Sequence, residues 1–169
     1  WFAISSTGTP NMPLNRDFED LLLCLNKEKA RYLLVGAYAV IYHTEPRYTK
    51  DLDIWIEPTE KNAERVYAAL KKFGAPLRQL TLKDLINPKM VYQIGNEPNR
   101  VDILMGVGSL GFKKAWEKRK PDQYGRAKIF VLSRDDVIQA KKDAGRTRDL
   151  LDLEVLKLAS TMFPKRKKK

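Results

Sequence analysis

The segment Asp51-Leu52-Asp53-Ile54-Trp55-Ile56-Glu57 constrains the fold of this chain more strongly than any other stretch. Polar and apolar residues alternate through its first half, which predicts a β-strand with one face in the core. Side chains two residues apart on a strand point to the same face. A fold that contains this strand therefore holds the carboxylates of Asp51 and Asp53 side by side, within reach of a common cation.

A third acid, Asp102, lies in the apolar run Val101-Asp102-Ile103-Leu104. An ionised carboxylate among buried apolar neighbours is unfavourable unless it is paired or binds a metal. Taken alone, the Asp51 and Asp53 pair is more typical of the solvent face of an edge strand than of a metal site. Together with the third acid, it favours a site where the three carboxylates converge on a metal ion.

The composition limits which metal such a site can hold. The chain has one cysteine, Cys24, and one histidine, His43, so disulfides and zinc clusters are excluded. A site built from carboxylate oxygens suits Mg²⁺ or Mn²⁺. Cys24 lies in an apolar run and is expected to pack as a small hydrophobic residue.

The remaining pattern predicts one α/β (α+β) domain over residues 14–161, with a mixed β-sheet flanked by helices and flexible termini at 1–13 and 162–169. Hydrophobic spacing and turn residues mark the elements. Helices are predicted at residues 14–29, 37–42, from 58–60 to Gly74, at 112–119, from 133–136 onward and at 149–161, with a helical turn at 81–87; strands are predicted at 32–35, 51–57 and 127–132, with a hairpin of 90–94 and 100–104.

The charge of the chain favours polyanionic partners. Lysine and arginine number 32 against 21 acidic residues, a formal charge of +11. Residues 165–169 are all basic, and we expect them to form a solvated tail. No apolar stretch approaches the roughly 20 residues that span a bilayer, and no secretory signal is seen, so a soluble cytoplasmic protein without membrane contact is expected.

These motifs resemble the nucleotidyltransferase superfamily related to DNA polymerase beta. The elements that carry the resemblance are Leu34-Val35-Gly36-Ala37, Asp51-Leu52-Asp53 and Asp102. The stretch 32–56 is most similar to bacterial abortive-infection nucleotidyltransferase toxins. Residues 141–149 with Asp152 are similar to the lysine, arginine and aspartate motif of that group, so the resemblance extends over about residues 14–158.

The resemblance implies an enzyme that moves a nucleoside monophosphate from a nucleoside triphosphate (NTP), such as ATP, to an acceptor. RNA, a protein or a small molecule such as an antibiotic are all compatible acceptors. A role as the toxin of a toxin–antitoxin pair would add an antitoxin partner. The implied catalytic residues and Mg²⁺ or Mn²⁺ ligands are Asp51, Asp53 and Asp102, and the implied nucleotide-binding residues are Gly36, Ala37, Arg47, Thr49, Lys141 and Arg146.

One departure from the family pattern keeps an alternative open. Ala37 stands where the superfamily has a second glycine or serine, and its methyl group would limit how closely a triphosphate approaches the backbone. The alternative is a catalytically inactive module of the same fold that binds nucleic acid or a protein partner. The sequence does not select the NTP or the acceptor.

Overall fold

A computed structural model of the protein describes residues 14–45, 49–96 and 98–162. Arg47 and the basic residues 165–169 lie outside the described residues. Within them the chain forms one mixed β-sheet with helices packed against it, as the sequence predicts. The strands are β1 (Tyr32–Val35), β2 (Asp51–Ile56), β3 (Val91–Ile94), β4 (Arg100–Leu104), β5 (Lys120–Tyr124) and β6 (Ala127–Val131).

The strand order is β3-β4-β2-β1-β6-β5. The pairs β2 with β4 and β1 with β6 are parallel, and the other neighbouring strands are antiparallel. The predicted hairpin of β3 and β4 is therefore confirmed. The strand β2 lies in the interior of the sheet between β1 and β4, so the edge-strand interpretation of its two aspartates is wrong.

The helices begin and end close to the predicted residues because their capping groups lie in the sequence. The Asn15 side chain accepts hydrogen bonds at the start of the first helix, and Thr59 and Ser133 cap two others. Gly74 ends one helix in a left-handed conformation. The helices are α1 (Arg16–Lys27), α2 (Gly36–His43), α3 (Glu60–Phe73), α4 (Phe112–Glu117), α5 (Arg134–Ala144) and α6 (Thr147–Met162), with a 3₁₀ turn at Asp84–Ile86.

The strand β5 is the element that the sequence pattern does not predict. It is mostly polar and contains Pro121, which lowers its intrinsic strand preference. As an edge strand it tolerates the proline, and it forms because Gly125, with φ +55°, turns the chain back so that β5 pairs with β6. Its strand conformation therefore depends on its partner.

Different helices cover the two ends of the β2 face that carries the aspartates. Trp55 follows Asp53 by two residues, so it shares that face, but it is fully buried and meets the Phe112 ring of α4 edge-on at 5.1 Å. Beyond Asp53 the same face borders α2, which contacts β2, α5 and α6. This arrangement leaves the carboxylates at the boundary between the core and a cavity. Cys24 is half-buried against the core, as predicted.

Candidate functional site

Two adjacent parallel strands place three carboxylates and one guanidinium together. In the register of β2 and β4, Asp53 lies opposite Asp102, and Asp51 lies opposite Arg100. The side chains of these four residues line one cavity of about 390 Å³. The structure thus brings together Asp51, Asp53 and Asp102, which are up to 51 positions apart in the sequence.

Gly36 forms the floor of this cavity next to Asp53. It has φ +62° at the turn between β1 and α2, a conformation that favours glycine. A Cβ atom at this position would lie 2.0 Å from the Asp53 Oδ2 atom. The carboxylate therefore packs directly against the glycine backbone at the first turn of α2, and a side chain at position 36 would displace it.

We expect Gly36→Ala to destabilise the protein by about 2–4 kcal/mol, because it adds left-handed backbone strain of about 1–2 kcal/mol to a clash with Asp53. Urea denaturation measures the change in the free energy of unfolding. Gly74→Ala is the matched control, since Gly74 also has positive φ but nothing lies within 4 Å of the added methyl group. Equal destabilisation by the two substitutions would contradict the proposed contact.

The electrostatics of the cavity favour a bound cation. Burial, together with the nearby charges of Asp102 and Asp51, raises the pKa of Asp53 to about 6. Burial also raises the pKa of Asp102, whereas the Arg100 guanidinium opposes that rise. Both carboxylates are therefore harder to ionise than usual, and a divalent cation would relieve their mutual repulsion.

Arg100 binds two of the three carboxylates. Its Nη2 atom lies 3.4 Å from Asp51 Oδ2 and 3.3 Å from Asp102 Oδ2. Its Nε atom lies 3.2 Å from Asp102 Oδ1, close enough for an ion pair although the two atoms are not aligned as a hydrogen bond. With Arg100 in this position, the described residues contain no group of three or more His, Cys, Asp or Glu side chains arranged to hold a metal ion.

The chemistry of the donor set nevertheless fits a hard divalent cation. The Asp51 Oδ1 atom is buried and accepts no hydrogen bond from the described residues, which is unfavourable unless a further ligand binds it. Carboxylate oxygens are the ligands that Mg²⁺ and Mn²⁺ prefer. The cavity can therefore accept such an ion if Arg100 withdraws from at least one carboxylate.

The opposite wall of the cavity comes from α5 and α6. The Lys141 Nζ atom lies 3.0 Å from Asp149 Oδ1 and 3.0 Å from Asp152 Oδ2. Arg146 Nε lies 2.7 Å from the other Asp149 oxygen. Burial of Asp149 acts to raise its pKa, but the hydrogen bonds from Arg146 and Lys141 prevail and hold that pKa at about 2. Lys141 therefore joins α5 to α6 through two buried carboxylates.

We expect Lys141→Met to lower the free energy of unfolding by about 2–3 kcal/mol, because two buried carboxylates lose their ammonium partner while Arg146 still pairs with Asp149. Chemical denaturation at neutral pH is the measurement. Lys142→Met is the control, since Lys142 is the exposed neighbour on the same helix; its effect should stay within about 0.5 kcal/mol. A loss at Lys141 no larger than at Lys142 would show that the ion pairs contribute little.

Arg100 and Arg148 line the cavity but are not among the predicted site residues. Arg100 precedes Asp102 by two positions on a strand, so the same-face rule was the signal that pointed to it. Arg148 is exposed and lines the cavity, and among the described residues it makes no ion pair. It lies within the basic segment 141–149, but its position on the cavity wall depends on how α6 packs.

Three other predicted residues lie elsewhere or are not described. Thr49 lines a second cavity, of about 310 Å³, that shares Asp51 with the first. Ala37 is in the first turn of α2 and is not among the residues that line the carboxylate cavity. Arg47 lies outside the described residues. His43, left out of the predicted site, has its Nε2 atom 2.8 Å from the Leu132 carbonyl oxygen.

Comparison with solved structures identifies this architecture. The chain has the nucleotidyltransferase fold. It aligns with the lincomycin-bound lincosamide antibiotic adenylyltransferase LnuA with a TM-score of 0.56 and 17% identity, over 87% of this chain and 98% of that one. A Thermotoga maritima protein provisionally assigned as a nucleotidyltransferase aligns with a TM-score of 0.54 and 18% identity, over 82% of this chain and 89% of that one.

The antibiotic-resistance factor ANT(2'')-Ia aligns with a TM-score of 0.57 and 12% identity, over 87% of this chain and 82% of that one. No family model matches the sequence. The comparison with curated proteins gave no significant match. These results confirm the predicted fold class, while the likeness to abortive-infection toxins stays a prediction. In the described part of the chain, no helix combines the length and apolar character needed to cross a membrane.

Proposed function

We propose that the protein is a metal-dependent nucleotidyltransferase that moves a nucleoside monophosphate from an NTP to an acceptor hydroxyl. The observation that supports this most is the convergence of Asp51, Asp53 and Asp102 on one cavity beside the Gly36 turn, in a nucleotidyltransferase fold. The fold alone would also suit an inert protein. Mutually repelling carboxylates at this place have a direct use in binding cations, and such cations in turn bind phosphates.

Each carboxylate has a proposed role. Asp51 and Asp53 would hold a divalent ion on the triphosphate, and Asp102 would hold a second ion near the acceptor hydroxyl or accept its proton. When bound, Mg²⁺ or Mn²⁺ would neutralise charge on the phosphate oxygens and favour ionisation of the acceptor. The raised pKa of Asp102 suits a group that accepts a proton.

The first turn of α2 and two arginines would position the phosphates. The backbone N–H groups of Gly36 and Ala37 lie at the first turn of α2, where the helix dipole favours anions. Arg146 and Arg148 lie on the opposite wall and would stabilise the departing pyrophosphate. Lys141 is already held by two carboxylates, so we assign it to fixing Arg146 and Asp149 rather than to direct phosphate binding.

The second cavity is the proposed place for the acceptor or the nucleotide base. It adjoins Asp51 on the side of Thr49 and is lined by the aromatic rings of Tyr38 and Tyr124. LnuA carries bound lincomycin, and ANT(2'')-Ia is an antibiotic-resistance factor. We therefore place a small-molecule acceptor first, ahead of an RNA or protein acceptor and a toxin role.

An inactive binding module is the second candidate function. Arg100 pairs with two of the three carboxylates, as expected of a site that no longer binds metal. Ala37 also departs from the family pattern. This candidate predicts that neither metal nor nucleotide stabilises the protein.

Thermal denaturation with each NTP, in Mg²⁺ and in EDTA, separates the two functions. An active site should bind Mg²⁺ and triphosphate together, and an NTP at 100 times its Kd adds about 2.7 kcal/mol of stability. Labelled NTP with a panel of small acceptors, RNA and cell extract then identifies the acceptor class. If no NTP raises the melting temperature in a Mg²⁺-dependent way, the inactive module is favoured.

A further inference from the structure

We propose that Arg100 is an internal counter-ion that competes with the divalent metal for Asp51 and Asp102. The inference rests on the proposed function, since it concerns the same carboxylates. It assigns to Arg100 a role in the metal-free protein: the guanidinium stabilises the metal-free site and must leave it before the metal is fully bound.

The register of the sheet places the guanidinium among the carboxylates. Asp51, Asp53, Arg100 and Asp102 form two pairs across β2 and β4. Because residues two apart on a strand share a face, all four side chains project to the same side of the sheet. Arg100 is next to Asp102 along β4 and opposite Asp51 across the pair. Its contacts therefore follow from the backbone.

Charge balance explains why Arg100 adopts this position. Three carboxylates lie within one cavity, and their side chains are largely shielded, with exposures of 13% for Asp102 and 25% for Asp51. An arginine stays ionised under all ordinary conditions. It therefore neutralises part of the repulsion without a metal. Arg100 also lowers the pKa of Asp53, although burial and the charges of Asp102 and Asp51 still raise that pKa to about 6.

The same contacts explain why Arg100 and a metal exclude one another. Both oxygens of Asp102 face the guanidinium, at 3.2 Å from Nε and 3.3 Å from Nη2. An oxygen engaged by a cationic donor is a poor ligand for a second cation at about 2.0–2.1 Å, the Mg²⁺ ligand distance. The Arg100 side chain is 31% exposed, so a route toward solvent is open to it.

Binding of Mn²⁺ alone to a set of single variants tests the competition. Arg100→Gln removes the guanidinium. Arg148→Gln is the matched control, because Arg148 lines the same cavity. This substitution removes one positive charge, as Arg100→Gln does, but it removes no contact with the three carboxylates. Arg100→Lys keeps the charge but cannot contact both carboxylates with a planar fork. Isothermal titration calorimetry gives the Mn²⁺ affinity, and thermal denaturation in EDTA gives the metal-free stability.

We expect Arg100→Gln to bind Mn²⁺ about tenfold more tightly than wild type, a coupling within the usual range between competing ligands. Arg148→Gln should change the affinity by less than about threefold, since its charge acts only through screened attraction. In EDTA, Arg100→Gln should melt below wild type, and Mn²⁺ should recover that loss. Arg100→Lys should bind Mn²⁺ with intermediate affinity. Because it keeps the positive charge, it is the variant to measure if Arg100→Gln does not fold.

The outcomes distinguish this inference from the proposed function. If wild type binds Mn²⁺ and Arg100→Gln binds it no more tightly than Arg148→Gln does, the competition is wrong and the function stands. If only Arg100→Lys folds and its Mn²⁺ affinity equals that of wild type, the proposed competition between Arg100 and the metal is likewise wrong. If no variant binds Mn²⁺ at millimolar concentrations, the function and the competition fail together.

Discussion

Asp53→Asn is expected to abolish Mg²⁺-dependent NTP binding and to lower nucleotidyl transfer by several orders of magnitude, while making the metal-free protein more stable at neutral pH. The amide keeps the shape of the side chain against Gly36 and removes the charge that a cation needs. It also removes a charge whose burial and repulsion by Asp102 and Asp51 raise the pKa of Asp53. Loss of binding together with a gain of stability is the signature of a functional buried acid.

The pH dependence of stability gives the sign of this effect. The pKa of Asp53 is about 6 in the folded state and 3.8 as its ordinary value, so between these values the folded protein holds more protons than the unfolded chain. The contribution of Asp53 to the free energy of unfolding is therefore largest below pH 4. It falls by about 3 kcal/mol as the pH rises from 4 to above 6. Asp149 has a pKa of about 2, so the stability that it contributes is lost at lower pH, as the pH falls from 4 to 2.

Urea denaturation at pH 4.5 and pH 7.5 in EDTA measures this contribution. The wild-type protein should lose stability between the two pH values relative to Asp53→Asn. Asp20→Asn, at a side chain that is 58% exposed, is the control and should follow wild type. Thermal denaturation with Mg²⁺ and NTP measures binding. Equal Mg²⁺-dependent shifts in wild type and Asp53→Asn would refute the assignment of this residue.

Asp102→Ala is expected to separate chemistry from binding. If Asp102 serves the acceptor, transfer should fall by several orders of magnitude, whereas triphosphate binding through Asp51 and Asp53 should fall much less. The contact with Arg100 predicts that the same substitution lowers the stability of the protein only modestly. Arg100 keeps Asp51 as a partner after the substitution, so we expect a loss of about 1–2 kcal/mol instead of the larger loss for a fully stranded buried charge.

Measuring melting temperature, NTP binding and transfer on one preparation decides between the roles of Asp102. A well-folded variant that binds triphosphate and is inactive supports catalysis. A well-folded variant with unimpaired transfer contradicts the two-metal scheme. Asp102→Asn is the companion variant, because its amide oxygen can still accept a hydrogen bond from Arg100, so stability should be closer to wild type while transfer stays low.

The sequence by itself determined the local structure of the site. The alternation at Asp51-Leu52-Asp53 predicts which side chains share a face, because the period of a strand is a property of the backbone. Gly36 marked the turn, and capping residues such as Thr59 and Ser133 marked where helices begin. These features depend on neighbours a few positions away, so they can be recognised in the sequence.

Only the tertiary structure decided which groups meet. The parallel pairing of β2 with β4 sets Asp53 opposite Asp102, and no local pattern encodes that register. The same pairing puts Arg100 on two of the carboxylates. The packing of α6 on α5 gives Lys141 two buried acidic partners, while its predicted nucleotide-binding role stays a prediction. Periodicity fixes the direction of a side chain, whereas its partner depends on long-range packing of the whole chain.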